Sequence, residues 1–126
     1  MRGITITNAS TLAAYEGPHA IPGIRFRAAR EPLGVSSWGM NVLELDARCE
    51  LCPEHDHEAD GQEEVYVVLS GSVVLRASGE ERTLVAGDMV RVAPDVRRKL
   101  VTRESPATVL ALGGNPGKPY SPSMGG

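Results

Sequence analysis

The stretch that decides the fold is Pro53-Glu54-His55-Asp56-His57-Glu58-Ala59-Asp60-Gly61-Gln62-Glu63-Glu64-Val65-Tyr66-Val67-Val68-Leu69-Ser70-Gly71. Its first half is polar and acidic, with two histidines one residue apart. Its second half is dense in β-branched and aromatic residues, the composition of a strand. Side chains at i and i+2 of an extended segment leave on the same side. His55 and His57 can therefore converge on a point the size of a metal ion. Glu64 opens the following strand and can bring a carboxylate across the ladder to the same point. Alternation groups Glu64 with Tyr66 and Val68, and Glu63 with Val65, Val67 and Leu69. Periodicity does not say which of these faces is inside.

Outward from this stretch, short strand signals recur. Residues 24–28 alternate Ile, Arg, Phe, Arg, Ala, and residues 38–45 carry Trp38, Met40, Val42, Leu43 and Leu45. Ser70-Gly71 reads as a tight turn, with residues 72–77 as its return strand. Ser78-Gly79 is a second turn, followed by runs at 81–85, 89–92, 99–102 and 107–112. Eight or nine short strands, punctuated every eight to twelve residues, predict an all-β sandwich or barrel. Helical signals are weak, because 14 Gly and 9 Pro are scattered through the chain and break helical turns. Residues 11–16 are expected to form one short turn, with Ser10 as its cap. The division expected is an N-terminal arm over 1–23, a barrel over 24–113 and a flexible tail over 114–126.

With 126 residues the chain fits one domain, large enough to bury about two-thirds of its unfolded surface. The net charge is −3. The densest basic spot is Arg97-Arg98-Lys99, too small for a nucleic-acid partner. No apolar stretch has the length to cross a bilayer, and the first residues lack the apolar middle of a secretory signal. A cytoplasmic protein is expected. Cys49 and Cys52 form no disulfide framework. Followed by His55 and His57, they could form a structural zinc site or a redox pair, and buried or half-buried free thiols are the expected state.

The central stretch resembles the first motif of the cupin superfamily: Gly, five residues, His-any-His, a few residues, Glu, six residues, Gly. Counting back from Gly71 lands on Glu64. Gly87-Asp88-Met89-Val90-Arg91-Val92-Ala93-Pro94-Asp95-Val96-Arg97-Arg98 is similar to the second motif. Together the two motifs and their flanking strands cover about 24–112. The resemblance, to small single-domain bacterial cupins, implies an RmlC-like jelly-roll barrel (a double-stranded β-helix) with a pocket at its mouth, and a homodimer. Four departures stand out. Cys49 replaces the motif's Gly, and six residues separate His57 from Glu64. Ala93 and Asp95 replace the Pro and Gly of the second motif. Arg98 occupies the place of its final His, ordinarily a metal ligand. Arg cannot ligate, since it stays protonated and carries donors only.

Two arrangements follow. In one, His55, His57 and Glu64 hold a divalent metal (Zn, Mn, Fe, Co or Ni), and Arg98 adds a second positive charge that favours an anionic ligand. In the other, Arg98 pairs with Glu64 and no metal is needed. The first makes the protein a metal-dependent enzyme of oxygenase, isomerase or cyclase type. Arg98 and Tyr66 would be its catalytic groups, and Arg98, Tyr66, Met40 and Trp38 would contact a small anionic or oxygenated molecule. The second makes it a non-catalytic binding or sensing module.

Overall fold

The computed structural model describes residues 1–122, so the last four residues of the expected tail lie outside the described residues. Seven strands are formed: β1 (Ile24–Ala28), β2 (Gly39–Leu45), β3 (Glu63–Ala77), β4 (Glu80–Val85), β5 (Met89–Val92), β6 (Arg98–Val101) and β7 (Ala107–Gly114). All pairings are antiparallel. One sheet runs β1-β2-β7-β3-β5. The other is formed by β4 and β6 on either side of the far half of β3. The architecture is the all-β jelly roll expected.

The Ser70-Gly71 turn is not a hairpin. β3 continues through it for fifteen residues and serves both sheets. Its ladder with β7 slips between Val68 and Ser70, then resumes with Ser70 opposite Thr108 and Gly71 opposite Ala107. Gly71 takes φ +73° at this bulge, where a Cβ would stand 1.9 Å from the Pro106 carbonyl oxygen. The glycine thus bends a continuous strand from one sheet into the other. Two expected strands therefore merge into one. Ser78-Gly79 does close a hairpin, both residues having positive φ, with Ala77 opposite Glu80, as two-residue hairpins require.

The N-terminal turn also differs from expectation. A 3-10 turn forms at Ala9–Thr11, where Asn8 Oδ1 captures the Ser10 N–H at 2.9 Å. Asn8, not Ser10, is the cap, and Leu12 already has an extended backbone. A four-residue helix, α1 (Arg30–Leu33), was not expected; Gly34 ends it at φ +78°.

The two sheets enclose a core of Leu45, Tyr66, Val68, Val73, Leu100 and Val109. Alternation on β3 resolves as Glu64, Tyr66 and Val68 inward. Glu63 faces out and pairs with Arg91 at 2.9 Å.

Candidate metal centre

Three segments bring the site together. Glu64 and Tyr66 lie on the inner face of β3. Arg98 opens β6, and His55 pairs with it across a one-residue bridge, His55 N to Arg98 O at 3.0 Å and Arg98 N to His55 O at 2.9 Å. His57 is held by its own N–H on the Pro94 carbonyl at 2.8 Å. The two rings stand edge to face, 5.2 Å apart. Ligating atoms of His55, His57 and Glu64 lie within 4.8 Å of one another. Neither cysteine joins that group. Both are free, Cys49 buried and Cys52 half-buried beside the site, and burial pushes the Cys52 thiol up to about 11.

The hydrogen bonds set the ring tautomers. His55 Nδ1 meets the Pro53 carbonyl at 3.2 Å, and His57 Nδ1 meets both Asp60 oxygens at 3.1 Å. These oxygens only accept, so each Nδ1 carries the proton. Each Nε2 is then left with a lone pair in the neutral ring. Both Nε2 atoms are buried without a hydrogen-bond partner, and both stand 3.4 Å from Glu64 Oε1. Two lone pairs facing an anionic oxygen repel unless a cation lies among them. The 3.4 Å separations also match neighbouring ligands in a tetrahedral set with bonds of about 2.1 Å. The residues present therefore fit a divalent metal held by two nitrogens and a carboxylate.

Arg98 faces inward and is fully buried. Arg97, one residue earlier, faces out and contacts Glu54. The Arg98 guanidinium donates from Nη2 to Glu64 Oε1, from Nε to Tyr66 Oη at 3.3 Å, and from Nη1 to the Val96 carbonyl at 2.8 Å. Tyr66 in turn donates to Glu64 Oε1 at 2.9 Å. Burial opposes ionisation of Glu64, but the hydrogen bonds donated by Arg98 and Tyr66 and the Arg98 charge outweigh it and hold the carboxyl below its ordinary value. Burial and the neighbouring Glu64 charge push the Tyr66 phenol well above its ordinary value. A carboxylate has about four lone-pair sites. Oε1 carries both the Arg98 and the Tyr66 donor and also faces the two Nε2 atoms, so an ion among these atoms would share that oxygen with the two donors.

Beneath the ligands lies a cavity of about 30 Å³, lined on its polar side by Asn41, His55, Glu64, Tyr66 and Arg98. Its apolar side includes Phe26, Leu43, Leu100 and Ala111. Met40 and Trp38 do not line it. Asn41 and Leu43 take the inner face of β2, so alternation turns Met40 outward. Trp38 precedes the strand and is exposed. Asp60 and Asn41 were not singled out from the sequence. Asp60 follows Glu54, Asp56 and Glu58 in a stretch with the composition of a solvated loop. Its one signal is its place three residues after His57 and just before a glycine.

Fold and site together define a two-sheet β-barrel that gathers a His-His-Glu set between its sheets. The cupin-domain family profile matches residues 42–113, and the chain belongs to that family. No curated protein matches the chain. Among solved structures, it is similar to a sugar phosphate isomerase of the cupin superfamily from Silicibacter pomeroyi. That match has 24% identity and a TM-score of 0.69, covering 86% of this chain and 74% of that one. It is also similar to a predicted oxalate decarboxylase from Thermotoga maritima, at 16% identity and TM-score 0.71, covering 88% and 99%. An RmlC-like cupin from Shewanella frigidimarina matches at 16% identity and TM-score 0.67, covering 88% and 91%. At these identities the likeness carries the fold alone.

Proposed function

We propose that this chain is a small metal-dependent cupin enzyme acting on a small anionic or oxygenated molecule. The observation that carries the reading is the pair of buried, unpartnered Nε2 atoms facing Glu64, with a guanidinium alongside. His55, His57 and Glu64 are the proposed ligands of Zn, Mn, Fe, Co or Ni. Such a metal, when bound, supplies Lewis acidity or activates oxygen.

The other roles fall to the chain itself. Arg98 is a fixed positive charge in a dry site, where it offsets negative charge developing on a bound carboxylate, enolate or phosphate. Three of its five N–H groups are engaged by Glu64, Tyr66 and Val96. Tyr66 anchors Glu64 and keeps its own proton at neutral pH. The cavity of about 30 Å³ has room for one or two waters. A substrate is therefore taken at the mouth, with only a small polar group reaching inward. The names of two similar structures, a sugar phosphate isomerase and a predicted oxalate decarboxylase, both point to anionic, oxygen-rich molecules.

A homodimer is part of this reading. The outer face of the β2-β7-β3-β5 sheet aligns Leu110, Val67 and exposed Met89 in one row, and Met40, Leu112, Val65 and Arg91 in the next. A second copy would cover that apolar surface. The two free thiols suit the reducing cytoplasm.

A second reading has its own support: Arg98 already donates to Glu64 and supplies a cation without any metal. The protein would then be a non-catalytic binding module. Calorimetric titration of oxalate and of inorganic phosphate into metal-loaded and metal-free protein separates the two. Binding that requires the metal is expected. Equal binding in both forms would sink the metal-dependent reading and favour the module.

A further inference from the structure

The two imidazoles are held at Nδ1 by different kinds of partner. His55 uses the Pro53 main-chain carbonyl, which side-chain substitution leaves in place. His57 uses a side chain, Asp60, with both carboxylate oxygens at 3.1 Å. That carboxylate is itself pinned. Asp60 Oδ1 accepts the Gln62 N–H at 3.1 Å, and the Asp60 carbonyl accepts from Asn115 Nδ2 at 2.6 Å. Gln62 is fully buried and donates from Nε2 to the Ser121 carbonyl at 3.1 Å. The loop between His57 and β3 is thus tied to the segment that follows β7. Gly113 makes room for this, since a Cβ there would stand 2.9 Å from Gln62 Oε1.

A carboxylate on the far nitrogen of a ligating imidazole fixes ring orientation and tautomer, and raises the basicity of the near nitrogen. We propose that Asp60 is a positioning residue for His57. It holds the ring in the Nδ1–H form with Nε2 aimed at Glu64. This rests on the metal reading above. Asp60 touches neither metal nor substrate and acts only through His57.

The test compares wild type, Asp60→Asn and Asp60→Ala by two readouts at one neutral pH. The first is the His57 ring-nitrogen shifts in metal-free protein, by long-range proton–nitrogen NMR. The second is Zn²⁺ affinity by chelator competition. Wild type and Asp60→Asn are expected to show the Nδ1–H tautomer, since the amide oxygen still accepts. Asp60→Ala is expected to show a mixture of tautomers. Zn²⁺ affinity should fall roughly 10–100-fold in Asp60→Ala and recover most of that loss in Asp60→Asn. Wild-type tautomer and affinity in Asp60→Ala would overturn the inference. So would losses in Asp60→Ala that Asp60→Asn fails to restore, which mark a general folding effect. Should wild type take up no Zn²⁺, the metal reading fails, while the metal-free NMR comparison still decides the role of Asp60.

Discussion

Replacing Arg98 by Met removes a buried cation that contacts Glu64 and Tyr66 together. The side chain is fully buried, so bulk water does not replace the lost donors. Glu64 keeps only the Tyr66 hydroxyl as a donor, and the Val96 carbonyl loses its partner. Breaking a buried pair on one side typically costs about 3–5 kcal/mol. At this chain length roughly 4 °C accompanies each kcal/mol, so the metal-free variant should melt about 12–20 °C below wild type. Circular dichroism with urea and thermal unfolding of metal-free protein measures this. Adding Glu64→Gln to Arg98→Met should recover part of the loss, because the uncompensated charge is gone. A loss below about 1 kcal/mol, or no recovery in the double variant, would refute the idea that this pair organises the site.

Other outcomes follow from the same structure. Because the Glu64 carboxyl titrates below its ordinary value, its contribution is fully present above about pH 4.5 and is lost as pH falls through about 2; acid unfolding of wild type should be steeper over that window than that of Glu64→Gln. Gly71→Ala forces a Cβ to 1.9 Å from Pro106 O at φ +73°, and should cost at least about 2 kcal/mol in urea unfolding. With its thiol at about 11 rather than 9.0, Cys52 should react with a disulfide reagent at pH 8 roughly 100-fold more slowly than a free thiol, as followed by release of the reagent's chromophore.

The inward face of β3 became legible only through the resemblance to the first cupin motif. Residue pattern left Glu63 and Glu64 equivalent, and the motif, counted back from Gly71, implied Glu64. The structure agrees, because Glu64 shares the inner face with Tyr66 and Val68. The same glycine misled the strand count. Ser-Gly signals a turn in local chemistry, but both flanks are strand formers, and β7 pairs across the bend. Tertiary pairing, invisible in the sequence, turned a hairpin signal into a bulge. Arg97 and Arg98 are alike in sequence, and only the bridge to His55 fixes which one enters the barrel. Met40 failed to reach the cavity for a simple reason: its neighbours Asn41 and Leu43 hold the inner face of β2. Asp60 was hidden among acidic neighbours, because its role depends on a loop fold that brings it back to His57 Nδ1.

The central claim is that His55, His57 and Glu64 hold a divalent metal beside Arg98. Elemental analysis of untagged protein, comparing wild type with His55→Ala and His57→Ala, tests it most directly. Near-stoichiometric metal in wild type, lost in both variants, is the expected result. Wild type that carries none and takes up no added Zn, Mn, Fe, Co or Ni would contradict it, leaving Arg98 and Glu64 as a charged pair in a ligand-binding barrel.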